Sequence, residues 1–100
     1  LIQILYKPSQ RAGSAEAFRG FINLFDDYLA TDLFKKIQTD IHLIWGEKDP
    51  WESLKEAEKW ANDYEEIKSL NVIKNAGHCP HDENPEETNR LILKIIQETK

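Results

Sequence analysis

Apolar side chains recur along this chain at more than one spacing, and each change of spacing marks an element. Leu1 to Tyr6 is an apolar run too short to show a period, open to strand or helix and closed by Pro8. From Ser14 onward, Phe18, Phe21, Ile22, Phe25, Tyr28 and Leu29 fall at i, i+3, i+4 and i+7. That spacing predicts an amphipathic helix with an aromatic stripe turned to a core, Ser14 as its N-cap and Glu16 in the positive first turn. Asp32 then caps a shorter helical piece that gathers Leu33, Phe34 and Ile37.

At Asp40 the helical period stops. Ile41, Leu43, Ile44 and Trp45, interrupted only by His42 and closed by Gly46, read as a strand buried on both faces. Pro50 opens the next helix, whose inner face is Leu54, Ala57, Ala61 and Tyr64. Its Glu and Lys residues, with those around it from Glu52 to Glu66, form a solvated face with i,i+4 pairs. Leu70 to Ile73 repeats the strand signal, and Ala76 to Asn84 reads as a loop. A last helix starts at Asn84 as cap, with Pro85 in its first position and Glu87 completing a capping-box-like pair, and buries Leu91, Ile92, Ile95 and Ile96. The order strand, helix, strand, helix over 41 to 98 predicts an α/β fold with two parallel strands joined by a right-handed crossover. Two parallel strands leave unpaired edges and need cover, so further strands are expected upstream in a longer protein. The absence of any Met agrees with a fragment or processed segment.

Composition narrows the function. Thirteen Lys and Arg against 18 Asp and Glu leave a net charge of −5, a field that repels phosphate backbones and argues against nucleic acid as partner. The excess is downstream: residues 1 to 40 carry five groups of each sign, residues 41 to 100 eight basic and 13 acidic. Cys79 has no second cysteine to bridge to, which fits a soluble protein of the cytoplasm or another reducing compartment. No apolar run approaches the ~20 residues of a membrane span, and no signal peptide is visible.

The candidate chemistry lies in two loops. Asp49 follows the first strand in Gly46-Glu47-Lys48-Asp49-Pro50, and His78 follows the second in Asn75-Ala76-Gly77-His78-Cys79-Pro80. Loops leaving the carboxyl ends of adjacent parallel strands lie side by side, so these two residues are expected within hydrogen-bond reach. A carboxylate so placed fixes the imidazole tautomer and stabilises the imidazolium, while the other ring nitrogen exchanges a proton with a nucleophile or water. Gly46 and Gly77 permit the close backbone approach that such a meeting needs.

The segment Ile41-His42-Leu43-Ile44-Trp45-Gly46-Glu47-Lys48-Asp49-Pro50, then Ala76-Gly77-His78-Cys79-Pro80-His81 and Asn84-Pro85-Glu86-Glu87, resembles the C-terminal part of the α/β-hydrolase family. There the acid follows a late strand and the histidine the last one. The resemblance covers 39 to 98 and implies that this stretch is the C-terminal βαβα part of a parallel hydrolase sheet, with residues 1 to 38 similar to the end of a helical cap. It implies Asp49 and His78 as acid and base of a nucleophile-Asp-His triad that splits an ester or related bond of an apolar small molecule without a cofactor. The wording around Asp49 and His78 is most similar to a branch from photosynthetic organisms that includes esterases of phytyl esters, which makes a plastid a candidate compartment. The family's nucleophile elbow and oxyanion hole are missing: Ser9, Ser14, Ser53 and Ser69 all lack the Gly-x-Ser-x-Gly setting. The nucleophile, Ser as in esterases or Asp as in epoxide hydrolases and dehalogenases, is then expected outside this chain, in the remainder of the core upstream or in a second chain. The chain alone is expected to be inactive. The alternative is a hydrolase-like fold kept as a non-catalytic binding or interaction module.

Other residues invite blander readings. His78 and His81 with Asp82 suggest a metal site, but no helix is expected there to align them and no second carboxylate is placed. Cys79 reads as a small buried residue, since neighbouring side chains point apart and nothing faces it as a base. Trp51 reads as packing on the following helix rather than lining a pocket. The stripe Phe18, Phe21, Phe25 and Tyr28 reads as core, with one edge available to an apolar ligand if these helices form a cap.

Overall fold

The computed structural model describes residues 2–23 and 29–99. Three helices, α1 (Ile2–Ser9), α2 (Ser14–Asn23) and α3 (Ala30–Phe34), precede strand β1 (Ile41–Gly46). Helix α4 (Leu54–Asp63), strand β2 (Ile67–Ile73), the single turn α5 (Pro80–Glu83) and α6 (Pro85–Glu98) follow. The strands pair in parallel, with Leu43 opposite Leu70, Trp45 opposite Val72 and Gly46 opposite Ile73. The fold is mixed α/β, and α4 is the crossover between its two parallel strands.

Each face of this sheet takes a different partner because strand side chains alternate. Ile44 packs with Ile73, Ala76 and Leu91, which anchors α6. Trp45, on the opposite face, meets Trp60 of α4 edge-on at 5.8 Å, and Phe34 of α3 meets Trp60 and Tyr64 at 5.5 and 5.1 Å. Ala57 of α4 is fully buried, so a larger side chain there would have to displace its neighbours. The inner face expected of α4 is thus present, with Leu54, Ala61 and Tyr64 half-buried, and the buried Phe34 fastens α3 onto it. Asn84 caps α6 as expected, accepting from the Glu87 N–H at 3.2 Å.

Several expectations are corrected. Pro8 lies inside α1, which closes one residue later as Ser9 Oγ donates to Tyr6 O at 2.7 Å. Ser14 Oγ donates back to Ser9 O, so the carbonyl of Gly13 (φ 84°) takes the first helical N–H, from Ala17. The stripe of α2 is not core: the helix buries no residue and Phe18 is 65% exposed. Phe25 and Tyr28 lie outside the described residues, as does Leu1. Asp32 acts from the third helical position of α3, its carboxylate accepting the Leu29 N–H. Leu33 and Ile37 stay largely at the surface beside it.

Further corrections concern the sheet and the helices around it. Residues 41 to 45 of β1 are half-buried rather than buried on both faces, because helix cover is partial and the sheet has two strands. Pro50 stands before α4 instead of opening it, since Ser53 is the cap and accepts from the Glu56 N–H. No i,i+4 ion pair closes on α4 among the described residues, and Glu56 instead accepts the Trp60 indole N–H at 3.1 Å. Strand β2 begins three residues earlier than its apolar run, at Ile67, and an irregularity shifts the register between Ile41 and His42. The stretch 76 to 84 contains α5, started by Pro80. Glu87 forks onto Arg90 at 2.7 and 2.6 Å instead of returning to the cap. Of the stripe on α6, Leu91 is buried and Ile95 half-buried, while Ile92 and Ile96 are exposed.

The tightest backbone contact lies at the end of β1. A Cβ on Gly46 would sit 1.9 Å from the carbonyl oxygen of Gly77 and 2.7 Å from that of Ala76. Gly20, inside α2, would meet nothing within 4 Å. The two glycines therefore predict opposite signs. Gly46→Ala should lower unfolding stability by about 3 kcal/mol, at the upper end of overpacking costs, whereas Gly20→Ala should raise it by roughly 0.5–1 kcal/mol through helix propensity. Urea denaturation of the two variants checks both, and a harmless Gly46→Ala would sink the account of this contact.

Candidate functional site

The two strands end side by side, and backbone bonds carry their alignment into the loops. Glu47 N–H donates to Ile73 O at 3.0 Å and Lys48 N–H to Ala76 O at 2.8 Å, extending the ladder past the last paired residues. Glu47 Oε2 accepts from the Asn75 N–H at 2.9 Å, where Asn75 takes the left-handed conformation (φ 61°) that turns the chain out of β2. These links set the first loop against the second before either functional side chain is considered.

Asp49 and His78 meet as the topology predicts. His78 Nδ1 lies 2.9 Å from Asp49 Oδ2. The other carboxylate oxygen, Oδ1, accepts the N–H groups of Trp51 at 2.9 Å and Glu52 at 3.0 Å. Pro50 supplies no competing donor between them, so the turn that follows Asp49 is closed by its own side chain. Only 6% of the Asp49 side chain is exposed, against 42% of His78. Removal from solvent works to raise the Asp49 pKa, but the Glu52 and Trp51 N–H groups, then the hydrogen bond and charge of His78, hold it below the ordinary carboxylate value. The group is an anion at neutral pH.

The remaining ring nitrogen of His78, Nε2, has no hydrogen bond to any described residue. Beside the imidazole lies a cleft of about 140 Å³ lined by Ile44, Trp45, Gly46, Glu52 and Pro80 together with the pair. Trp51 is 76% exposed and stands edge-on to His78, with ring centroids 4.6 Å apart. Its expected packing on the following helix is therefore corrected: the turn closed by Asp49 aims the indole at the imidazole. Cys79 is exposed rather than buried, because it stands at the open start of α5. His81 and Asp82 are exposed on α5, and among the described residues no three His, Cys, Asp or Glu side chains gather as a metal would require.

None of the four serines faces the imidazole. Ser9 and Ser14 are tied within the α1–α2 turn, Ser53 caps α4, and Ser69 pairs with His42 Nδ1 at 2.8 Å. The last pairing shows that His42 does more than interrupt a strand. Ser69 Oγ also accepts from Asn71 Nδ2, which donates to Leu43 O as well, so a polar network runs across the sheet. Two carboxylates with roles at the site were missed in the sequence. Glu47 crosses to Asn75, for which no local pattern signals, and Glu83 accepts from the N–H groups of Gly77 and Cys79 at 2.7 and 3.1 Å. The signal for Glu83 was its position one turn after Cys79, in a helix started by proline.

Compared with protein-family models, with curated proteins and with solved structures, the chain gives no match. Among the described residues no helix is long and apolar enough to cross a membrane.

The lowered Asp49 pKa has a definite consequence for stability. A carboxylate that titrates below its unfolded value stabilises the fold above that value, 3.8, and the contribution is lost as pH falls through the lower folded one. Glu87, held low by its hydrogen bond and charge pairing with Arg90, contributes in the same sense. Asp49→Asn should therefore reduce the loss of thermal stability on acidification and leave the part due to Glu87. Melting temperatures of parent and variant from neutrality down to pH 3 check this, and identical acid limbs would contradict it.

Proposed function

We propose that this chain carries the acid and the base of a hydrolase of the α/β-hydrolase kind, acting on an ester or related bond of an apolar small molecule. The observation that carries the reading is the single contact of Asp49 Oδ2 with His78 Nδ1, made by loops leaving adjacent parallel strands, with Nε2 left unbonded beside a cleft. In the neutral imidazole, Nδ1–H donates to the carboxylate, so the Nε2 lone pair is free to take a proton from an approaching hydroxyl or water. The imidazolium that forms faces Oδ2 of an anion whose other oxygen, Oδ1, is already held by two backbone N–H groups, and it returns the proton to the leaving oxygen. The exposed indole of Trp51 against His78 offers an apolar wall to the substrate.

All four serine hydroxyls are engaged elsewhere; in this reading the nucleophile, Ser or Asp, and the oxyanion donors that the hydrolase resemblance implies belong to polypeptide outside these 100 residues. The dyad alone then activates nothing stronger than water. The test uses the full-length protein that contains this chain. A serine-directed fluorophosphonate should label it, and His78→Ala should slow labelling by 10³-fold or more, the order expected when a triad base is lost. Absence of labelling together with undiminished ester hydrolysis in His78→Ala would reject the reading, and absence of both labelling and hydrolysis in the parent would leave a non-catalytic binding module. Hydrolysis that is lost in His78→Ala without labelling would instead point to an Asp nucleophile.

A further inference from the structure

The turn that bears His78 is held from both sides by one carboxylate. Glu83 Oε2 accepts the N–H of Gly77 at 2.7 Å and Oε1 the N–H of Cys79 at 3.1 Å, the residues immediately before and after His78 in sequence. The contact is built into the local chain. Pro80 starts α5 directly after Cys79, and a side chain one turn later points back toward the start of its own helix. Gly77 makes the room: a Cβ there would lie 3.0 and 3.3 Å from the two Glu83 oxygens. The helix is itself anchored, since the buried Thr88 of α6 donates from Oγ1 to Pro80 O at 3.0 Å. Before His78, Ala76 is tied to the acid loop through the Lys48 N–H.

We infer that Glu83 is a positioning residue for His78. By tying the N–H groups of Gly77 and Cys79 to one side chain it restrains the short span of backbone between them, and with it the direction of the His78 Cα–Cβ bond and the aim of the imidazole at Asp49. Hydrogen bonds from N–H groups to an ionised carboxylate are the stronger kind, and here they restrain an otherwise exposed turn whose histidine is 42% open to solvent. A base displaced by even ~1 Å loses much of its effect on a bound reactant. The line of support runs from the packed helix α6 through Thr88, Pro80 and Glu83 to His78, and ends on Asp49. The consequence for turnover rests on the proposed hydrolase function; the positioning does not.

The experiment reads the imidazole itself. Long-range proton–nitrogen correlation spectra of the ¹⁵N-labelled chain, taken where the imidazoles are neutral, report which ring nitrogen carries the proton, with His81 as an exposed reference. In the parent, His78 should be the Nδ1–H tautomer that Asp49 requires. Glu83→Ala should shift it toward the Nε2–H form preferred by a free imidazole, while the amide protons of Glu47 and Lys48 keep their protection from exchange. Glu83→Gln, which keeps one acceptor, should give an intermediate shift and carries the test if Glu83→Ala fails to fold. An unchanged His78 tautomer in the folded variants, or a change that appears only together with lost protection of those two amides, would overturn the inference. Because no turnover is measured, this result is independent of the phosphonate experiment.

Discussion

At the end of β1 a backbone passes so close to the loop after β2 that no side chain fits between them. Gly46 lies against the carbonyls of Ala76 and Gly77, and the adjoining N–H groups of Glu47 and Lys48 bond to Ile73 and Ala76. This contact converts a parallel pairing into a pair of apposed loops. Strand pairing alone brings two chains to the ordinary inter-strand spacing and then lets them diverge. Here the divergence is delayed by about three residues, and within that distance Asp49 and His78 are delivered to each other. The rest of the site depends on it.

The carboxylates near the site fall into distinct tasks. Asp49 holds the imidazole through one oxygen and its own turn through the other. Glu47 joins the loops, and Glu83 fastens the backbone on both sides of the histidine. The acidic excess of residues 41 to 100 therefore includes groups that satisfy backbone donors in the loops. These acidic side chains satisfy loop N–H groups without requiring a longer strand. The Nε2 of the imidazole meanwhile has no hydrogen bond to any described residue.

The sheet is less complete than the site. Residues 41 to 45 are half-buried, Phe18 and Phe21 of α2 are 65% and 60% exposed, and Ile92 and Ile96 stand exposed on α6. Amphipathic patterns record which faces a chain is prepared to bury, and here the described residues bury only some of them. The patterns located α6 and the start of α2, although Leu29 of the predicted α2 stripe is the extended N-cap residue of α3, and the number of apolar residues in a stripe did not measure its packing. The small residue Ala57 and the polar Thr88 proved better buried than Phe18 or Ile96.

The elements that could be read from residue order alone were those governed by local chemistry. The change of period at Asp40, the cap at Asn84 with Pro85 behind it, and two loops leaving two parallel strands are all consequences of neighbours along the chain. From them the meeting of Asp49 with His78 followed, because parallel strands place their carboxyl ends together whatever else surrounds them. What required the folded chain was every relation set by contacts made from the side: the early start of β2 at Ile67, whose polar alternation hides a half-exposed strand, the turn of Trp51 onto the imidazole, and the exposure of Cys79. The pair of hydrogen bonds accepted by Glu83 belongs there as well. A carboxylate four residues from a turn has many partners within reach, and only the packing of α5 against α6 through Thr88 selects the two N–H groups beside His78.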